Sequence, residues 1–186
     1  MNPVILSQPT LVLLMGVVAS VKSTLSKKVL QRLNVTYIDN NFISDAFFPS
    51  TRNDPEYMKL RPHFYEILYR ITEENLLIGN SVLLDAPHIK EMRDAQWQTT
   101  ISDMVTKLKT KLVIIRCLCS EQTLKKRVTS RGEERDKWKI INCQDFLKEQ
   151  PMDVYIPFDH IDINTDNDLI ENVESVIKYI LYRKTA

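Results

Sequence analysis

The stretch Leu11-Val12-Leu13-Leu14-Met15-Gly16-Val17-Val18-Ala19-Ser20-Val21-Lys22-Ser23-Thr24 decides the fold of this chain. Its first five residues are apolar without alternation, the pattern of a strand buried on both faces of a parallel sheet. After the Gly16-to-Val21 turn, residues 22–33 place Leu25, Val29 and Leu33 at i, i+4 and i+8, leaving Lys27, Lys28, Gln31 and Arg32 for the opposite face. A buried strand that turns through a short loop into an amphipathic helix is the unit from which α/β folds are wound.

Working outward, further strands are expected at residues 35–39, 81–84, 112–118 and 160–163, and helices at 55–78, 95–108, 120–129 and 169–182. Strands therefore alternate with helices throughout, which gives the fold class as α/β, with a parallel, five-stranded sheet between two helical layers. The 186 residues suit one domain, and no Gly/Ser-rich linker or internal repeat divides them. Residues 49–61 read as a mobile connection into the long helix, and the charged residues 127–139 as a flap within a lid-like segment at about 121–145.

Lys and Arg total 25 against 24 Asp and Glu, so the chain carries no overall basic field of the kind that nucleic-acid binding calls for. No apolar stretch approaches the roughly 20 residues of a membrane span. Cys117, Cys119 and Cys143 lack metal-ligand spacing and are expected as reduced thiols, consistent with a cytoplasmic protein. His63, His88 and His160 are equally scattered. His88 is close enough to Asp85 to reach a substrate, or it is structural; Trp97 and Trp138 read as packing anchors.

From Gly16 to Thr24 the chain follows the form GxxxxGK[ST], after a strand and opening a helix as that motif requires. In such a loop the backbone N–H groups and the helix N-terminus cradle a polyphosphate, the lysine neutralises its outer charge and the first hydroxyl ligates a cation. Lys22 and Ser23 take those roles, with Gly16, Ala19, Ser20, Val21 and Thr24 completing the cradle. Val21, however, occupies the second glycine position. A β-branched residue there makes the loop either strained, by about 1–3 kcal/mol if φ is positive, or splayed. The alternatives are a natural loop that still binds nucleotide, a natural pseudoenzyme, a glycine replaced in the laboratory, or a turn that binds nothing.

With this loop, Leu83-Leu84-Asp85-Ala86-Pro87 and the arginine-rich segment from Arg127 through Arg131 and Arg135 to Lys139, the chain resembles the bacterial AAA-type P-loop kinase-like ATPases. These are related in fold to gluconate kinase, chloramphenicol phosphotransferase and zeta toxin. The resemblance runs from Leu11 to about Asp162 and implies ATP and Mg2+ as cofactors, with phosphoryl transfer to a hydroxyl. It makes Asp85 a Walker B-type acid that holds magnesium beside Ser23, the alternative being a helix N-cap. Arg127 and Arg131 match lid arginines that meet adenine and phosphates, and Arg135 extends the row; the alternative is a solvated helical face paired with Glu133, Glu134 and Asp136.

On the acceptor side, relatives carry an Asp where this chain has Asn41, an amide that orients a hydroxyl but is no base. Asp39, two residues earlier on the same face of an extended segment, is the substitute candidate. Arg52, with Arg61, Tyr57 and Tyr65, reads either as a reader of an anionic or polyhydroxy acceptor or as ordinary surface charge. The expectation is an ATP-binding phosphotransferase acting on a small hydroxylated acceptor, with Lys22, Asp85 and Arg131 as the catalytic set. A non-catalytic nucleotide-binding regulator and a nucleic-acid end kinase are the alternatives.

Overall fold

The apolar run at the start of the chain forms the middle of a sheet because both its faces are covered. The computed structural model describes residues 3–50 and 54–183. In chain order the elements are β1 (Val4–Ile5), β2 (Thr10–Met15), α1 (Lys22–Leu30), β3 (Leu33–Asn34), β4 (Thr36–Asp39), α2 (Asn40–Phe47), α3 (Pro55–Leu77), β5 (Val82–Asp85), α4 (Ala95–Lys107), β6 (Lys111–Leu118), α5 (Glu121–Arg131), α6 (Lys137–Ile141), α7 (Cys143–Glu149), β7 (His160–Asn164) and α8 (Leu169–Tyr182). Every residue of β2 is buried.

Five strands make one parallel sheet in the order β4-β5-β2-β6-β7. Leu13 of β2 lies opposite Leu84 on one side and Ile114 on the other. Because side chains alternate along a strand, Leu11, Leu13 and Met15 pack into one helical layer with Leu68, Trp97 and Ile101. Val12 and Leu14 pack into the other, with Leu25, Val29, Val176 and Ile177. The expected three-layer α/β sheet of five parallel strands is thus present. From β2 the chain runs first toward β4 and β5, then crosses to β6 and β7. The carboxyl ends of β2 and its neighbours therefore open at a topological switch point, where such sheets form their clefts.

Local chemistry sets the helix ends. Asp54 accepts from Glu56 N at 2.8 Å with Pro55 in the first turn, Asp94 caps α4, Ser120 caps α5 and Asp168 caps α8. Gly132, in the left-handed region at φ 63, ends α5. Between β6 and β7, Arg116 grips Asp162 through two bonds of 2.7 and 2.6 Å across the strand pair.

Three expectations are corrected. The first helix stops at Leu30, and Leu33 instead joins β3, pairing with Val4 in a small parallel ribbon, because its buried side chain is used there. The segment after β4 is not extended: Asp39 caps α2, so Asn40 onward is helical. Pro55 to Arg61 is not a connection but the start of α3. Replacing Leu13, which has no exposed surface, by alanine removes buried methyl groups from the middle strand. Leu13→Ala is expected to lower stability by about 3 kcal/mol, measured by urea unfolding.

Candidate functional site

Gly16 leaves β2 with φ 139, and its N–H donates to Pro87 O at 3.1 Å. A side chain at this position would meet Cys117 O at 2.5 Å and Ser20 Oγ at 2.9 Å, so only glycine lets the loop pass between the ends of β5 and β6. Two more residues of the turn adopt left-handed backbone, Ala19 at φ 59 and Val21 at φ 63 with ψ 16. Of the two outcomes open to Val21, strain and splaying, the structure has the strained one: a β-branched residue sits where glycine is favoured. The Ser20 hydroxyl, fully buried, ties the turn together by donating to Val17 O at 2.8 Å.

Helix α1 then begins at Lys22 with no side-chain cap and no acidic residue in its first turn. Its first N–H groups and its positive dipole end therefore face a cleft of about 520 Å³ without a counter-group from the helix itself. Lys22 folds back over the loop, its ammonium donating to Gly16 O at 2.8 Å and Val17 O at 2.9 Å.

Asp85, at the carboxyl end of β5, caps no helix. Its Oδ2 accepts from Ser23 Oγ at 3.0 Å, Ser26 Oγ at 3.2 Å and Tyr37 OH at 3.1 Å. Burial raises its pKa above the usual carboxylate value; the Lys22 ammonium opposes that rise and Asp39 adds to it. Burial and the two carboxylates beside it hold the Tyr37 phenol far above its ordinary range. Among the described residues no group of three or more His, Cys, Asp or Glu forms a ready-made metal cage. A divalent cation beside Ser23 and Asp85 would thus need oxygen ligands from a bound phosphate, the way magnesium is commonly held.

Asp39, the substitute candidate for the acceptor end, caps α2. Its Oδ1 accepts from Asn41 N at 2.8 Å and Asn41 Nδ2 at 2.9 Å, and its Oδ2 faces Tyr37 OH at 3.1 Å. The carboxylate is spent on starting α2, and Asn40 and Asn41 line the cleft instead. Arg52 lies outside the described residues.

All three arginines of the charged segment reach the cleft wall, but not as one helical row, since α5 ends at Gly132. Arg127 donates to Thr165 Oγ1 at 2.9 Å and Thr165 O at 2.6 Å, where it also lines a second cavity of about 250 Å³ shared with Val21, Asp166 and Asn172. Arg131 pairs with Asp136, which is fully buried and also binds Lys139 at 2.7 Å. Arg135 pairs with Asp45 of α2 and so ties this segment to the opposite wall. Of the partners that the solvated-face alternative names, Asp136 does pair with Arg131, but from a buried position; those cations hold its carboxyl below its usual range even though burial pushes it up. Helices α5, α6 and α7 carry the segment on to Glu149, and Trp138, which the sequence suggests is a packing anchor, lines the cleft beside Lys139 and Phe146.

Sequence reasoning missed Tyr37, Ser26, Asn40 and Lys90, which lie in or beside the cleft. Only Tyr37 and Ser26 carried a usable signal, the side-chain alternation of β4 and the i+3 step from Ser23.

His88 is fully buried, at φ 53, behind the cleft rather than in it. Its Nδ1 meets Tyr69 OH at 3.2 Å and its ring packs against Trp97 at 5.9 Å, which decides for the structural role. Burial, with the Lys22 and Arg61 charges, pushes its pKa down to about 3.

An AAA domain family model matches residues 11–145. Compared by sequence with curated proteins, the chain finds no match. A sugar kinase from Janibacter sp. has the same fold at TM-score 0.68 and 12% identity, covering 92% of this chain and 94% of that one. A shikimate kinase from Bacteroides thetaiotaomicron gives 0.63 and 17%, covering 92% and 98%. The APS kinase of Mycobacterium tuberculosis, solved with AMPPNP and APS, gives 0.59 and 14%, covering 96% and 99%. At these identities the likeness is one of fold.

A histidine held neutral when folded and free to protonate when unfolded contributes stability that is complete above about pH 6.5 and declines as pH falls toward 3. Between pH 7 and pH 5 wild type should therefore lose about 2 kcal/mol more than His88→Asn, whose side chain tolerates the left-handed backbone. Urea unfolding of both proteins at the two pH values measures this. Parallel losses would show that His88 is not held neutral.

Proposed function

Because the chain belongs to the AAA domain family whose model spans residues 11–145, we propose that it is an ATP-dependent phosphotransferase acting on a small hydroxylated molecule. One observation carries this reading: the uncapped N-terminus of α1, with Lys22 and the Ser23–Asp85 pair at 3.0 Å, opens into a cleft of about 520 Å³. The kinases that share its fold make nucleotide and small-molecule acceptor the natural pair.

In this reading Gly16, Ala19, Ser20, Val21 and Thr24 form a Walker A-type cradle for the ATP phosphates. Lys22 exchanges its two loop carbonyls for the outer phosphate oxygens, for which an ammonium has donors enough. Ser23 and Asp85 hold Mg2+, which supplies charge neutralisation at the transferring group. Arg131 turns from Asp136 toward the phosphates, and Arg127 borders the nucleoside in the cavity it shares with Val21. Asn41 and Arg135 face the acceptor. Transfer breaks the bond between the terminal phosphorus and the bridging oxygen of ADP and forms one to the acceptor oxygen. The hydroxyl proton leaves late in a loose transition state and passes to solvent or to the phosphate product, so that little base assistance is needed. Free thiols at Cys117, Cys119 and Cys143 fit a cytoplasmic setting.

A second reading, a nucleotide-binding regulator without turnover, is favoured by Val21, whose left-handed backbone strains the loop at its closest approach to phosphate.

Lys22→Ala is expected to weaken ATP binding at least about tenfold, roughly 1.4 kcal/mol. The apo protein should lose only about 1 kcal/mol, from carbonyls left without their donor. Calorimetric titration with ATP and magnesium, with thermal unfolding of both forms, tests this; equal affinities would sink the assignment of the loop. ATP turnover across an acceptor panel separates kinase from regulator.

Val21→Gly should stabilise the apo protein by about 1 kcal/mol, since relief of 1–3 kcal/mol of strain outweighs the 0.5–1 kcal/mol entropic cost of glycine. It should also tighten ATP binding about tenfold. A variant neither more stable nor tighter would show that Val21 costs the loop nothing.

A further inference from the structure

Two cations of the cleft stand apart from those that the nucleotide uses. Arg61, in the second turn of α3, and Lys90, just after β5, belong to the β4–β5 half of the sheet, whereas Arg127 and Arg131 come from the helix after β6. The two groups of charge therefore lie on opposite sides of the phosphate-binding loop.

Arg61 is built into its place. Its Nη2 donates to Glu91 Oε1 at 2.7 Å, with the two side chains only 20% and 11% exposed, and its guanidinium lies over the Tyr65 ring at 4.3 Å. A guanidinium has five N–H donors, and the Glu91 bond takes Nη2. Tyr65 also shares a side-chain hydrogen bond with Arg61, and the donors that remain belong to a planar, pre-oriented fork on the cleft wall, so little rotamer entropy is lost when it binds. Lys90 is exposed on the same wall, with no ion pair among the described residues. The other lining cations are differently placed: Arg131 and Lys139 share Asp136, Arg135 has Asp45, and Lys22 belongs to the loop. Lys90 thus leaves a positive charge on this wall with no ion pair among the described residues, and beside it Arg61 keeps donors that Glu91 does not take; together they suit an anion that the nucleotide does not supply. Asn41, Tyr57 and Met58 complete that end with amide, phenol and thioether groups suited to the body of a small hydroxylated molecule.

Resting on the reading that the cleft takes an acceptor beside ATP, we propose that Arg61 and Lys90 form an anion subsite, so that the acceptor is a small hydroxylated acid and not a neutral polyol. The fork binds two oxygens of a carboxylate or phosphate and Lys90 adds a point charge beside it. The anionic group is thereby held away from the transferred phosphoryl, and the hydroxyl end points back toward Asp85.

The test uses inorganic sulfate on the full chain with ADP and magnesium saturating, following the Arg61 Nε–H resonance by NMR. Sulfate should shift that resonance with a saturable curve, and Lys90→Gln, a surface change that leaves the core intact, should weaken the binding at least about fivefold. Acetate in place of sulfate then tells a carboxylate site from a phosphate site. No saturable shift with either anion, or the same sulfate affinity in Lys90→Gln, overturns the proposal. So does turnover of sorbitol or glycerol but not of gluconate or glycerol 3-phosphate. Binding of ADP to wild type is read separately in the same titrations. Its failure would remove the nucleotide reading, while the Arg61 resonance would still report on the subsite.

Discussion

The passage of the backbone between the ends of β5 and β6 is the constraint on which the site depends. Gly16 has a hydrogen where any other residue would put a carbon 2.5 Å from Cys117 O, and its N–H is anchored on Pro87 O. That close fit sets the angle at which the chain leaves the central strand, and hence where α1 begins and where its free N–H groups point. The sheet order makes the location inevitable: β2 has neighbours on both sides that the chain reaches by crossing in opposite directions, so the ends of β2, β5 and β6 must part above it.

Charge in the cleft is arranged so that most cations have an internal partner in the absence of ligand. Lys22 is satisfied by the carbonyls of its own loop, Arg131 and Lys139 by the buried Asp136, and Arg135 by Asp45 across the cleft. Breaking a buried pair without replacing it is costly, whereas exchanging one oxygen partner for another is not. An incoming polyanion thus competes for positions already pre-shaped for oxygen. The Arg135–Asp45 contact joins the α5–α7 segment to the α2 wall.

Val21 shows how the surrounding structure dictates a residue's backbone. Its left-handed conformation lies between a turn whose Val17 is buried in one core layer and helix α1, whose Leu25 and Val29 are buried in the other. A local preference worth about 1–3 kcal/mol yields to a core whose burial is larger in sum. The strain falls in the turn that carries the chain from β2 into α1.

The sequence by itself determined the fold class, the central strand, the loop frame and most element positions, because these depend on local pattern: an unbroken apolar run, 3.6-residue periodicity and a lysine-serine pair at the right distance from a glycine. It also singled out Lys22, Ser23, Asp85, Arg127, Arg131 and Arg135, which the structure brings to one cleft. Only the tertiary structure decided how their side chains are used. Asp39 caps α2, Leu33 is drawn out of a helix into a strand with Val4, and the arginine row is broken by Gly132 and distributed over Asp136, Asp45 and Thr165. The Arg127–Thr165 and Arg135–Asp45 pairs join residues 38 and 90 apart, Leu33 pairs with a strand at the other end of the helix before it, and the row breaks at one backbone angle; helical or strand spacing carries no information about these.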